Sequence, residues 1–141
     1  MPARSSASRR TVLRGAAVAP VAGLGLAACA APQDDKGASA VTSSVDLGAE
    51  GEVAKGAAKL YRDHNVVVSR DGEGGLKAYS LVCTHAGCVI NKLRGTTLVC
   101  PCHGSEFDAV TGKVAQAPAT EPLSELPVKV ADGRIVAGPA A

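Results

Sequence analysis

Two short segments hold most of the side chains able to do redox or metal chemistry. They are Cys83-Thr84-His85-Ala86-Gly87-Cys88 and Cys100-Pro101-Cys102-His103-Gly104-Ser105. One residue separates Cys83 from His85 and two separate Cys100 from His103. Fourteen residues, Ala86 to Val99, lie between the halves. Each segment thus offers a Cys–His pair and one further cysteine. Two thiolates and two imidazoles on adjoining loops can hold a two-iron, two-sulfur cluster with both histidines on one iron, which is an electron-transfer centre. The same four groups could hold a tetrahedral structural zinc. Against zinc, one intervening residue makes Cys-x-His a cramped chelate on a single ion, and two cysteines remain unexplained. Two structural disulfides with incidental histidines would leave Gly87, Pro101, Gly104 and Ser105 without a purpose.

Such loops need a stiff base, and the flanking sequence supplies β-signals. Leu81-Val82 runs into the first segment and Leu98-Val99 into the second, so both are expected at hairpin tips. Val66-Val67-Val68-Ser69 and Leu76 to Val82 flank the turn Asp71-Gly72-Glu73-Gly74-Gly75. Thr96 to Val99 is a short β-prone run, and Lys113-Val114 follows the turn Thr111-Gly112. Val128-Lys129-Val130 and Arg134-Ile135-Val136 flank Asp132-Gly133, a strong hairpin signal. No convincing amphipathic helix is found, and Val53 to Tyr61 has room for at most a turn of one. His64, between Asp63 and Asn65, reads as a solvated turn residue, and Tyr61 and Tyr79 as packing residues. The expectation is an all-β, small antiparallel sandwich.

The first residues belong to a different kind of element. Ser8-Arg9-Arg10-Thr11-Val12-Leu13-Arg14 is a twin-arginine run before the apolar stretch Gly15 to Ala28, which describes an export signal over 1–28. Rich in alanine and glycine, it would make a poor permanent membrane span. It ends in Leu26-Ala27-Ala28-Cys29, which resembles the lipobox of bacterial lipoproteins and marks Cys29 for lipidation. Two or more acyl chains anchor stably where one binds marginally. Residues 29–44 are small and polar and are expected to form a flexible tether. The signal carries four of the 15 basic residues, so the remainder has 11 against 13 acidic ones and a net charge of 11 − 13 = −2. That balance gives no support to nucleic-acid binding. Hydrophobic residues make up 46% of the chain but aromatics only 2%, so the core is thin in large side chains and a metal centre or disulfide would help offset this.

Cys-Thr-His-x-Gly-Cys followed by Cys-Pro-Cys-His-Gly-Ser resembles the signature of the Rieske iron–sulfur proteins, and the resemblance extends over roughly 45–141. It implies a Rieske-type β-sandwich with a cluster-binding subdomain of two loops and one [2Fe-2S] cluster. Cys83 and Cys100 would ligate one iron, His85 and His103 the other, and Cys88 and Cys102 would form a disulfide, which an oxidising compartment permits. Ser105 matches the family serine whose hydroxyl donates to a bridging sulfide. Phe107 stands where quinol-oxidising members usually carry a tyrosine that donates to a cysteine sulfur. Val114 to Thr120 resembles the proline loop that covers the cluster, keeping Pro118 but changing the common Gly-Pro-x-Pro to Ala117-Pro118-Ala119-Thr120. Replacing two thiolates by imidazoles makes the oxidised cluster neutral and raises its potential to about −150 to +300 mV, against about −400 mV for plant-type clusters. Without a phenolic donor at 107, a value below that of typical quinol–cytochrome reductase centres is expected. Aromatic-ring dioxygenases lack the paired loop cysteines and carry a separate mononuclear iron domain, for which this chain leaves no stretch.

The resemblance implies an electron-transfer subunit of an oxidoreductase rather than a complete enzyme. The leading role is the iron–sulfur subunit of a quinol–cytochrome c reductase-like (cytochrome bc) respiratory complex, with cytochrome b or c and quinol as partners. Alternatives are the small Rieske subunit of another exported, arsenite oxidase-like oxidoreductase, and a free-standing carrier or redox sensor. The expected location is the outer face of the cytoplasmic membrane, lipid-anchored, or signal-anchored if the signal is left uncleaved.

Overall fold

The computed structural model describes residues 40–139 and 141; the signal, Cys29 and residues 30–39 of the tether lie outside the described residues. Among the described residues there are eleven strands and two short 3-10 turns and no α-helix. All strand pairings are antiparallel. Three sheets result. The first orders β1 (Val45–Ala49), β11 (Arg134–Ala137) and β10 (Val128–Ala131). The second orders β2 (Ala58–Tyr61), β3 (Val66–Arg70), β4 (Leu76–Ser80) and β9 (Glu125–Leu126). The third orders β5 (Lys92–Arg94), β6 (Thr97–Val99), β7 (Glu106–Asp108) and β8 (Val114–Gln116).

The middle sheet is covered on both faces, which explains the unbroken Val66-Val67-Val68 run, each residue fully buried. Successive side chains of a strand point to opposite faces. Val66 and Val68 accordingly join Tyr61, Ala78, Leu47, Ile135 and Ala137 in a core against the first sheet. Val67 and Tyr79 join Leu81, Ile90, Leu98, Phe107, Ala109 and both Cys83 and Cys100 in a core against the third. The second loop joins β6 and β7 of the third sheet, whereas the first leads from β4 of the middle sheet to β5 and is closed by the isolated Val82–Val89 bridge. Cys83 of the first loop and Cys100 of the second both lie in the core beneath the third sheet.

Turn chemistry sets the registers. Asp132 (φ 51°) and Gly133 (φ 73°) both occupy the left-handed region that a two-residue type I′ hairpin requires between β10 and β11. Asp71 Oδ1 accepts the amides of Glu73, Gly74 and Gly75 at 3.0, 2.7 and 2.7 Å, closing the β3–β4 turn. These bonds hold the Asp71 carboxyl below its ordinary value.

Within Val53 to Tyr61 there is no helical turn: a 3-10 turn covers Glu50–Glu52, and Ala58–Tyr61 is strand β2. Pairing of Leu60 with Val67 and Tyr61 with Val66 outweighs the alanines' helical preference. Val41, within the segment expected as tether, packs part-buried against the core beneath the first sheet. Tyr61 and Tyr79 are buried packing residues and His64 is exposed in a 3-10 turn.

Candidate metal centre

The two cysteine–histidine segments are built on one plan, offset by seventeen residues. Leu81-Val82-Cys83 matches Leu98-Val99-Cys100, and Gly87 matches Gly104. In the first loop Cys83 N donates to Cys88 O (2.9 Å) and Gly87 N to Cys83 O (2.8 Å). In the second, Cys100 N donates to Ser105 O (2.9 Å) and Gly104 N to Cys100 O (3.1 Å). Val82 bridges Val89 in the first, as Val99 pairs with Glu106 in the second. Ile90 faces Leu81 as Phe107 faces Leu98. Gly87 (φ 73°) and Gly104 (φ 76°) sit at the same left-handed corner. A Cβ at either would meet nothing within 4 Å, so glycine is required there by backbone conformation and not by crowding.

This frame sorts the donors by depth. Cys83 and Cys100 are each 2% exposed, inside the core of the third sheet. His85 and His103 are exposed, with ring centroids 4.8 Å apart and planes at 84°. Burial pushes the Cys83 thiol up; the amides of His85 and Ala86 pull it down, while the neighbouring Cys100 thiol pushes it up again. Two buried sulfurs are thus crowded together where a bound cation favours their ionised form. Cys88 and Cys102 form a disulfide with an S–S distance of 2.10 Å and Cα atoms 6.6 Å apart, locking the end of one loop to the middle of the other. Cys100 Sγ lies within 4.8 Å of both disulfide sulfurs. Those sulfurs are spent in their bond and are not thiolate donors, so the free thiols facing the site are Cys83 and Cys100.

A third segment straps the loops. Thr84 Oγ1 donates to Glu121 O at 2.7 Å, and Gln116 Nε2 donates to Gly104 O at 3.0 Å. The Ala119 amide donates to Ser105 Oγ at 3.0 Å, deep in the protein. Ser105 is fully buried, and its own hydroxyl proton has no acceptor among the described residues. A buried donor without a partner is costly, and a sulfide between the loops would satisfy it. Pro118 lies in the strap, exposed, after a cis Ala117–Pro118 bond. Phe107 is fully buried in the core that holds Cys83 and Cys100, and it presents only carbon. Buried thiols, exposed imidazoles, an unpartnered hydroxyl and a disulfide clamp fit a two-iron cluster better than one tetrahedral ion.

All six loop cysteines and histidines expected from sequence come together, and Ser105, Phe107 and Pro118 lie around them; Cys29 is outside the described residues. The strap's atoms were not foreseen. Thr84–Glu121 and Gln116–Gly104 span 37 and 12 residues, and no local pattern announces them. Nor was the seam to the middle sheet foreseen. Tyr79 donates its hydroxyl to Val110 O at 3.2 Å, over Gly112 (φ 70°), where an added Cβ would come within 2.5 Å of the ring.

Comparison with known proteins agrees with this geometry. The sequence model of the family described as Rieske [2Fe-2S] domain matches residues 42–127. The chain is 34% identical over 99 residues to the cytochrome b6-f complex iron-sulfur subunit of Chlorobaculum tepidum, covering 68% of this chain and 54% of that one. It is 45% identical over 65 residues to a putative respiratory nitrate reductase Rieske subunit of Haloferax mediterranei, covering 45% and 30%. The chain therefore spans about half the length of the first relative and less of the second. The crystal structure of a cyanobacterial plasma membrane Rieske protein from Synechocystis superposes with a TM-score of 0.53 at 32% identity, covering 67% of this chain and 99% of that one. The loops, their sheet and the family match concur, and the chain belongs to the Rieske family, whose domain binds one [2Fe-2S] cluster.

Proposed function

We propose that Cys83 and Cys100 ligate one iron of that cluster and His85 and His103 the other, and that the protein passes single electrons as the iron–sulfur subunit of a cytochrome bc-type complex. The observation that carries this is the sorting of ligands by depth, with sulfur inside and imidazole outside. When bound, the cluster supplies a one-electron store. The chain's own residues do the rest. Core packing around Cys83 and Cys100 keeps water from the sulfurs, the Cys88–Cys102 bridge fixes the separation of the loops, and the exposed imidazole edges give a partner its closest approach. The named relative, an iron–sulfur subunit of a cytochrome complex, supports cytochrome partners; in this proposal quinol is the reductant and a lipidated Cys29 holds the domain at the outer membrane face.

The test is an EPR spectrum of the reduced protein with a redox titration, followed by co-purification from membranes. A spectrum of histidine-ligated two-iron type, together with a dihaem cytochrome b, supports the proposal. A four-cysteine-type spectrum overturns the ligand assignment. Phe107 favours a second reading, a Rieske subunit of a different exported oxidoreductase, since it offers no donor to raise the potential toward a quinol-oxidising value. The relative named for nitrate reductase is consistent with it. Co-purification with a molybdopterin subunit instead of cytochrome b would select that role.

A further inference from the structure

The chain holds two Asp-Gly pairs, Asp71-Gly72 and Asp132-Gly133, both exposed and both in tight turns between strands. In such a pair the glycine nitrogen can close on the aspartate side chain, since no Cβ shields it. Exposure does not tell the two apart, but their hydrogen bonds do. The amides of Gly75, Gly74 and Glu73 all donate to Asp71 Oδ1, tying that carboxylate across its turn and holding its pKa below the ordinary value. The turn joins β3 and β4, each of which has a second neighbour, β2 and β9. Among the described residues the Asp132 carboxylate has no hydrogen-bond or ion-pair partner, and the adjoining Arg134 is committed to Asp46 at 2.5 Å. The Gly133 amide makes no hydrogen bond there either, and a Cβ at Gly133 would meet nothing within 4 Å. Strand β10 is a sheet edge paired only with β11, so this turn opens by losing that one pairing.

We propose that Asp132 is a site of spontaneous isoaspartate formation, and that the turn around Asp71 protects the other Asp-Gly pair. The Gly133 nitrogen attacks Cγ of the Asp132 carboxyl. An N–C bond forms, and the carboxyl hydroxyl leaves as water with the amide proton, giving a cyclic imide. The carboxyl reacts in its acid form, which the three amides disfavour at Asp71. Water then adds to either imide carbonyl. Cleavage on the side-chain side restores aspartate, and cleavage on the main-chain side leaves the peptide running through the β-carbon of residue 132. One water leaves and one returns, so no oxidant or cofactor enters the reaction. Isoaspartate adds an atom to the backbone of a two-residue type I′ turn, which closes only with both residues at positive φ, as Asp132 at 51° and Gly133 at 73° are. The lengthened turn loses the Ala131–Arg134 register and the hold of the Gly133 carbonyl on the Glu50 amide at 2.9 Å. The damage falls on the first sheet, whereas Cys83 and Cys100 belong to the other core. The modification stands apart from the electron-transfer role.

The test incubates the full cluster-loaded chain at physiological temperature and neutral pH. Isoaspartate is located by peptide mapping and by labelling with a protein isoaspartate methyltransferase. Folded protein is expected to accumulate it at Asp132 at least about ten-fold faster than at Asp71; ten-fold is about 1.4 kcal/mol, close to one hydrogen bond to a charged group. In urea, where neither turn persists, the two sites are expected to react at similar rates. Asp132→Asn keeps a residue that type I′ turns favour. It is expected to age faster than the parent, because ammonia leaves an amide more readily than water leaves a carboxylate. In aged parent molecules the Glu50 amide is expected to lose hydrogen-exchange protection while the Gly87 and Gly104 amides keep theirs. Equal rates at Asp132 and Asp71 in the folded protein, a reversed order, or no reaction at either would overturn the proposal. The same preference persisting in urea would trace it to flanking sequence and remove the role given to the turns. An Asp132→Asn chain that ages no faster would exclude the imide route, and an isoaspartate-bearing chain with Glu50 fully protected would exclude the loosened hairpin.

Discussion

Ser105→Ala separates the bond that Ser105 makes from the one proposed for it. Its Oγ accepts the Ala119 amide at 3.0 Å in a fully buried site, and its proton is left for the cluster. Removing the hydroxyl strands the Ala119 N–H, at about 1–3 kcal/mol for a buried unsatisfied group. For a domain of this size each kcal/mol shifts the melting temperature by about 4–8 °C, so a fall of about 4–24 °C is expected by circular dichroism. The O–H to sulfide bond proposed for a bound cluster acts on a different quantity. If that bond is about 0.5–1.5 kcal/mol stronger in the reduced state, its removal lowers a one-electron midpoint by about 20–65 mV, read by protein-film voltammetry. Gln116→Ala is the control, because it cuts another tie of the strap, to Gly104 O, and touches no hydroxyl. It is expected to lower stability and leave the potential in place. A Ser105→Ala protein that melts early with an unchanged potential, or with no larger drop than Gln116→Ala, would refute the inference that the hydroxyl points at the cluster.

Phe107→Tyr adds a phenol inside the core that holds both thiols and is expected to raise the midpoint potential by about 20–65 mV; an unchanged or lower value would contradict the role assigned to the missing donor. Replacing Cys88 and Cys102 together with serine removes a bridge of sequence separation 14, a loss of about 3 kcal/mol, and should appear as an earlier urea midpoint and faster bleaching of the cluster absorbance. Gly112→Ala forces a left-handed corner on a residue with a Cβ and drives that Cβ toward the buried Tyr79 ring. Its unfolding free energy is expected to fall by at least about 2 kcal/mol, whereas Tyr79→Phe, losing one hydrogen bond to Val110 O, should lose about 1 kcal/mol.

Legibility followed the range of the interactions. The loops could be read because backbone geometry confines their glycines and metal chemistry confines their ligand types, and both constraints act within six residues. The β10–β11 hairpin was legible in Asp132-Gly133 for the same local reason. Strand β2 was not, because Ala58–Tyr61 becomes a strand only through its pairing with Val66–Ser69. The strap was visible as a proline segment but not as a set of bonds. Thr84 and Gln116 are ordinary polar residues until the chain brings Glu121 and Gly104 to them.

The repeated hairpin gives a physical reason for the order of the proposed ligands in the sequence. At the first position of each loop, a backbone N–H and a C=O are both consumed in closing the turn, and the side chains of Cys83 and Cys100 lie in the core beneath. The imidazoles of His85 and His103, later in each loop, emerge at the surface. A strict repeat would place Cys102 where His85 stands and Ser105 where Cys88 stands. Moving the second histidine one residue later, to 103, frees position 102 for the bridge to Cys88, and both imidazoles remain exposed with centroids 4.8 Å apart. The cost is that the second loop has no cysteine in its last position. Ser105 occupies it, and being buried it can serve only what lies between the loops. The one-residue difference between Cys-x-His and Cys-x-x-His is therefore what makes room for the disulfide, and the hydroxyl at 105 follows from the same displacement.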